Sequence, residues 1–401
     1  MSSERSPGVP SVGTDPRDRI AESREPAEKT WFRTLDSAVI EADRCVQCGS
    51  CTAACPSDSI GIDPETGRPT LVRMCTGCSR CWDFCPRSGL RYERLNELAG
   101  SAPNTAYVAE AADSHTGQNG GAVTALLAGL LEAGEIDGAV VVGDGDDPLK
   151  GEATLATSRA ELLESAGSNY NQTMQLGRVD ELVAESDLED PDIALVGTPC
   201  VVQGAAALDR LQYDDELDPI ALAISLVCTR SFAYERLRKR LLAAGVDPQD
   251  VGELSIVGDA LTATDESGDR LLKEDIDSFD GAALRGCAEC ADAVGAAADL
   301  SAGNIGSPEG KTTLLPRTER GSDAIEAAAV ELETEELDGS EAMEAFAAWN
   351  RNQVEGVIPR DLDPEAGLTI TKREHWDDYE GTDRAPESLN PARVHQYEEW
   401  C

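Results

Sequence analysis

The segments Cys45 to Pro56 and Cys75 to Pro86 each spell C-x2-C-x2-C-x3-C-P, and the two copies are offset by 30 positions (75 − 45 = 30). No other feature of the chain narrows its fold so far. Two-residue spacers let three successive sulfurs converge on one face of a cubane iron–sulfur cluster, and the fourth ligand comes from the other motif. On that rule Cys45, Cys48, Cys51 and Cys85 hold one 4Fe-4S cluster, while Cys75, Cys78, Cys81 and Cys55 hold a second. Pro56 and Pro86 fix the exit of each loop. The alternative is a pair of zinc sites, since C-x2-C knuckles also suit tetrahedral zinc. Zinc sites, however, separate two knuckles by a longer gap; they do not run four cysteines up to a proline.

The repeat predicts an α+β, ferredoxin-like two-cluster domain over residues 37–97. Between the motifs, Ser59 to Ile62 and Thr70 to Arg73 flank a Pro- and Gly-containing hexapeptide and read as a short hairpin. Residues 1–36 lack an apolar run and read as a disordered acidic tail. At 401 residues the chain has room for further domains. From residue 98 the pattern alternates. Thr105 to Ala111 reads as a strand, Gly117 to Gly121 as a glycine turn, Ala122 to Glu132 as a helix and Ile136 to Val142 as a buried strand. Pro191 to Val196 is a strand running into Gly197-Thr198-Pro199-Cys200, with a helix over Val201 to Leu211, and Ala221 to Val227 is a strand ending at Cys228. An α/β domain follows the first unit, with Cys200 and Cys228 just past strand ends, where open α/β sheets place their chemistry. Residues 322–350 hold two Ala- and Glu-rich helical segments around a strand, and the last forty residues show no clear periodicity.

Acidic residues number 76 against 34 basic ones, a formal charge of −42, and only six of the basic residues are Lys. Such an excess resembles proteins of salt-in halophiles, because in molar salt the Debye length falls to about 3 Å and self-repulsion is screened. Docking of a basic partner is the other reading of that charge. Nucleic acid is excluded as a partner, since phosphate contacts need a basic face. Thirteen cysteines in a chain with neither a signal peptide nor a transmembrane run point to a reducing, cytoplasmic setting.

Cys200, Cys228, Cys287 and Cys290 would supply a third cubane, leaving Cys401 spare; as isolated residues they also fit the role of small buried hydrophobes. The Gly117 to Gly121 turn at a helix start either holds a phosphate or simply reverses the chain. A second glycine stretch runs from Gly303 to Gly310. His115, His375 and His395 are scattered and read as surface or structural residues.

Several stretches, in this order, resemble the beta subunits of coenzyme F420 hydrogenases and dehydrogenases: Asn119 to Leu127, Val196 to Cys200, Cys228, Cys287 to Cys290, and Asp299 to Pro308. The resemblance implies a flavin- and cluster-binding domain in two parts, 98–185 with the FAD loop and 186–321 with a third 4Fe-4S cluster, followed by a helical extension and tail over 322–401. It makes Cys200, Cys228, Cys287 and Cys290 the ligands of that third cluster. It also brings Asn119, Gly120, Gly121 and Thr124, then Gly197 and Thr198, then Gly303, Asn304, Gly306 and Ser307, towards FAD. Relatives often carry Ser and Asp where this chain has Asn119 and Asn304; Asn keeps the hydrogen bonding without the charge.

The function implied is an iron–sulfur flavoprotein oxidoreductase that exchanges hydride with coenzyme F420 and single electrons with a redox protein or partner subunit. Deazaflavins give up electrons in pairs and cubanes pass them singly, so a converter between the two is needed, and a flavin is one. Two alternatives are a ferredoxin-dependent reductase of an organic substrate that never meets F420, and a non-catalytic electron-transfer subunit.

Overall fold

The computed structural model of the chain describes residues 30–91, 105–112, 118–147, 149–211, 219–337, 339–357 and 369–385. In the cysteine-rich unit, β1 (Ile60–Ile62) and β2 (Pro69–Leu71) form the expected antiparallel hairpin, Ile60 opposite Leu71. Asp63 starts its turn. One carboxylate oxygen accepts from the backbone N–H groups of Glu65 and Thr66 and from the Thr66 hydroxyl, the local bonding that makes Asp a turn former. The third cysteine of each motif sits in a single helical turn, α1 (Ser50–Ala53) and α2 (Arg80–Asp83).

The tail expected over 1–36 gives way at its end. Phe32–Leu35 is helical, and Phe32 and Leu35 pack with Cys51, Cys81 and Trp82, because leaving two large apolar side chains in water costs more than ordering one helical turn beside an apolar pocket. Residues 1–29 lie outside the described residues, as do His115, Gly117, His395 and Cys401.

Besides two short helices, Arg159–Glu164 and Val179–Glu185, the larger domain contains, in chain order, β3 (Ala106–Ala111), α3 (Ala122–Ala133), β4 (Gly138–Asp144), β5 (Gly151–Ala156), β6 (Ile193–Gly197), α4 (Pro199–Leu211) and β7 (Ile220–Leu226). Then come α5 (Tyr234–Ala243), β8 (Glu253–Val257), β9 (Ala260–Thr264), β10 (Arg270–Asp275), β11 (Leu300–Gly303), β12 (Thr312–Pro316), α6 (Glu319–Ala327), β13 (Leu332–Leu337), α7 (Glu341–Glu355) and α8 (Lys372–Tyr379). Eight strands make one mixed sheet in the order β13-β3-β12-β11-β7-β6-β4-β5, and β8 to β10 form a separate antiparallel meander. Strands β11, β7, β6 and β4 run parallel to one another. The crevice at their carboxyl ends is where open sheets of this kind bind ligands.

Successive side chains of a strand point to opposite faces, and here the two faces carry different loads. Ala139 and Val141 of β4 and Ala194 and Val196 of β6 pack beneath α3 and α6. Their alternates Val140, Ile193 and Leu195 pack with Val201 and Ala205 of α4, and with Val46, Cys48, Phe84 and Leu90 of the cysteine-rich unit. The small unit therefore shares a core with the sheet. Backbone bonds stitch the joint, Met174 N–H to Gln47 O at 3.0 Å and Leu176 N–H to Cys48 O at 3.2 Å. Gly286 sits so close that a β-carbon there would lie 2.0 Å from the Arg44 carbonyl oxygen.

The C-terminal segment, without periodicity in the sequence, has a defined place over 369–385. Thr369 bridges Leu90, the Ile370 N–H donates to Gly89 O at 2.6 Å, and the Trp82 indole donates to Ile370 O at 3.0 Å. Thr371 and Glu374 close a capping box at the start of α8. His375 is buried against Trp82, a structural histidine.

Candidate functional site

The eight motif cysteines fall into two neighbourhoods. Burial pushes the Cys51 thiol well up, and Cys45, Cys48 and Cys85 add to the effect; Cys45 is pushed up to about 12, again by burial first, with Cys48 and Cys85 contributing. Cys81 is raised by burial and then by Cys75, Cys78 and Cys55. A small cavity is lined by Cys55, Cys75, Cys78 and Cys81. The two sets adjoin, since Cys81 also acts on Cys51 and Cys85 on Cys81. Backbone N–H groups point at the sulfurs: Gln47 at Cys45, Gly77 at Cys75 and Arg87 at Cys85, each at 3.4 Å, and Ser59 at Cys55 at 3.3 Å. Cys78 is exposed, whereas Cys48, Cys51, Cys81 and Cys85 are buried.

The four later cysteines also converge. Cys200 lies in the first turn of α4, with the Thr198 hydroxyl 3.2 Å from its sulfur. Cys228 stands two residues beyond β7, its N–H bonded to Ala293 O at 2.9 Å. The Ser231 N–H points at the Cys287 sulfur at 3.4 Å. Cys228 is pushed up to about 12 by burial, then by Cys287 and Cys290. Cys200 is raised well above the ordinary thiol value by burial, then by Cys48 of the small unit, with Cys290 adding and Arg87 opposing. The second set thus abuts the first.

Among the described residues no three His, Cys, Asp or Glu side chains gather as a single ion requires. Thiolates on one zinc would each stand about 2.3 Å from it. A polynuclear cluster holds its thiolates further apart, because irons and sulfides stand between them.

A buried ionic knot, which no local signal in the sequence announces, ties the two sets together. Arg44, which precedes Cys45, donates Nε to Glu289 Oε1 at 2.8 Å and Nη2 to Oε2 at 2.6 Å; Glu289 stands between Cys287 and Cys290. The other donors of Arg44 reach Ala38 O at 2.9 Å, Arg87 O at 3.0 Å and His375 Nε2 at 3.0 Å. Arginine only donates, so His375 Nε2 accepts and the ring proton resides on Nδ1. The Tyr379 hydroxyl and Arg384 complete the shell of Glu289 at 3.0 and 2.5 Å. Burial alone would raise the Glu289 carboxyl; Arg44, Arg87 and Arg384 hold it down at about 2.

At the carboxyl ends of the parallel strands opens a cleft of about 750 Å³, within the usual range for small-molecule and cofactor sites. The turn after β3 supplies Asn119 and Gly121, α3 supplies Thr124, β6 and its exit supply Gly197 and Thr198, and β11 with the loop behind it supplies Gly303, Asn304 and Ser307. Gly120 and Gly306 shape these loops without lining the cleft. Asn119, Gly120 and Gly121 are consecutively left-handed, with φ of 49°, 81° and 65°, and no side-chain hydrogen bond caps the first turn of α3, the end of a helix at which an anion is favoured. A β-carbon on Gly120 would lie 2.7 Å from Gly310 O. Gln118 ties the turn to the β8 edge through Leu254 O at 2.9 Å. Among the described residues Cys228 is the one cysteine on the cleft wall, so the four-cysteine group and the cleft share a boundary.

Residues 38–90 match a 4Fe-4S dicluster domain, residues 105–179 the N-terminal part of the coenzyme F420 hydrogenase/dehydrogenase beta subunit, and residues 190–340 its C-terminal part. The coenzyme F420-dependent sulfite reductase of Methanocaldococcus jannaschii is 31% identical over 71% of this chain, which covers 46% of that protein. One of the subunits of the F420H2 dehydrogenase of Methanosarcina mazei is 26% identical over 71% of this chain and 82% of its own length. Among solved structures, a chain of the F420-reducing nickel–iron hydrogenase complex from Methanosarcina barkeri superposes with a TM-score of 0.59 at 25% identity, over 65% of this chain and 92% of that one. No helix among the described residues is long and apolar enough to cross a membrane.

Proposed function

The chain belongs to the family of coenzyme F420 hydrogenase/dehydrogenase beta subunits, joined to a 4Fe-4S dicluster domain, and from that premise we propose that it is an iron–sulfur flavoprotein carrying electrons between reduced F420 and one-electron partners. The observation that carries this reading is the order of sites along the molecule: a cofactor-sized cleft, a four-cysteine group on its wall at Cys228, and beyond it, through Cys200 and Cys48, the two motif groups.

Cys200, Cys228, Cys287 and Cys290 would hold a third 4Fe-4S cluster beside the two of the motif cysteines. The donor set fits: buried thiols held near pKa 12 become thiolates only against a strong cationic charge, which the irons supply. FAD fits the cleft, its diphosphate at the Asn119 to Gly121 turn and the start of α3. Bound FAD would supply the exchange between hydride and single electrons. The protein's own share is positional. Gly197, Thr198, Gly303, Asn304 and Ser307 bring backbone and short polar side chains against the ligand, and the apolar walls of Val141, Val196 and Leu226 exclude water. The exposed Cys78 edge of the far motif group faces the redox protein or partner subunit.

Cys200→Ala tests the arrangement. Anaerobically purified variant should lose about one cubane in three while the motif clusters persist; unchanged iron refutes the third-cluster ligand set.

A further inference from the structure

Arg87 follows the Cys85-Pro86 end of the second motif and is buried, 6% exposed. Its Nε donates to Gly286 O at 2.7 Å and its Nη1 to Pro86 O at 2.8 Å. Among the described residues no carboxylate lies within ion-pair distance of it: Glu289 is taken by Arg44 and Arg384. A buried guanidinium without a carboxylate is costly unless another anion compensates it. The groups around it are Cys290, Cys200, Glu289 and Cys287. A cubane with four thiolates carries net negative charge. Cys85 belongs to the neighbouring motif group, and Gly286 precedes Cys287. The run Cys85, Pro86, Arg87, Gly286, Cys287 is therefore continuous from one cysteine group to the other, broken only by the hydrogen bond at 2.7 Å.

We propose that Arg87 is a positioning and tuning residue for electron transfer, the shared counter-charge of the cluster at Cys200, Cys228, Cys287 and Cys290 and of its neighbour at Cys45, Cys48, Cys51 and Cys85, and the bridge between them. This rests on the third-cluster reading above. A positive charge beside both clusters favours their reduced forms, so its removal makes each harder to reduce. One electron enters one cluster as it leaves the other, and no proton need move.

The test is an anaerobic redox titration followed by electron paramagnetic resonance, with iron counted on the same samples of the full chain, Arg87→Met and Arg87→Lys. In Arg87→Met the ratio of reduced to oxidised third cluster at a fixed potential should fall at least tenfold, which for a one-electron couple is about 59 mV. Arg87→Lys, which keeps the charge and loses the fork, should recover most of that ratio. Loss of third-cluster iron in Arg87→Met with retention in Arg87→Lys equally supports a counter-charge role. Full iron with unshifted potentials in both variants overturns the role of Arg87 while leaving the third cluster standing, and so does loss of iron in both, which marks a purely structural residue. About eight irons per unaltered chain, two cubanes in place of three, overturns the third-cluster reading and the Arg87 role with it.

Discussion

Glu289 sits in the two-residue spacer of a C-x2-C pair and is bonded by Arg44, Tyr379 and Arg384. Removing one member of a buried ion pair strands the other's charge, at a cost of about 3–5 kcal/mol. Glu289→Ala should destabilise the chain by that amount in denaturant unfolding. A second expectation concerns the thiols once iron is stripped by chelator under reducing conditions. Burial pushes Cys45 and Cys228 up to about 12, above an unfolded thiol at about 8.5. A raised folded pKa gives stability that is present below the unfolded value and lost as pH rises towards the folded one. The stripped chain should therefore be most resistant to unfolding below about pH 8.5 and weaken steadily towards about pH 12; a flat profile across that window would show these thiols to be solvated. The cysteine motifs were legible because their chemistry is local, four ligands in one loop. Arg44, Glu289 and His375 were not, because their meaning lies in partners 245 and 331 positions away.

At the scale of elements, β3, α3, β4, β6, α4 and β7 follow from their apolar patterns to within a few residues. Each buries apolar side chains that a short window displays: Leu126, Leu127 and Leu130 of α3 are almost wholly buried. The β8 to β10 meander was missed, since a strand such as Arg270–Asp275 shows mostly exposed, charged positions. Strand order was illegible too; β12 inserts between β3 and β11 through pairings that no local pattern encodes. On the proposed reading the turn between β3 and α3 would cradle the phosphates; Gly120 there has φ 81° and no room for a β-carbon. A side chain there meets both backbone strain and Gly310 O. Gly120→Ala should lower bound flavin at least tenfold in extracted-flavin assays with iron unchanged; flavin retained at the unaltered level would remove this turn from the site.

At the scale of the molecule, the cysteine-rich unit is packed on the sheet through a shared core and the Arg44 to Glu289 knot, and α8 straps it from outside. On the proposed reading, two-electron chemistry at the cleft and one-electron transfer through the clusters would therefore share one packed unit. The central claim is that all three cofactor types work in series on this one chain. Anaerobic reconstitution, with iron, flavin and F420H2 oxidation measured on a single sample, tests that most directly. The account predicts about twelve irons, one FAD, and F420H2 oxidation coupled to reduction of a one-electron dye, lost when the flavin is removed and restored when it returns. A sample complete in iron and FAD that leaves F420H2 unoxidised would contradict it.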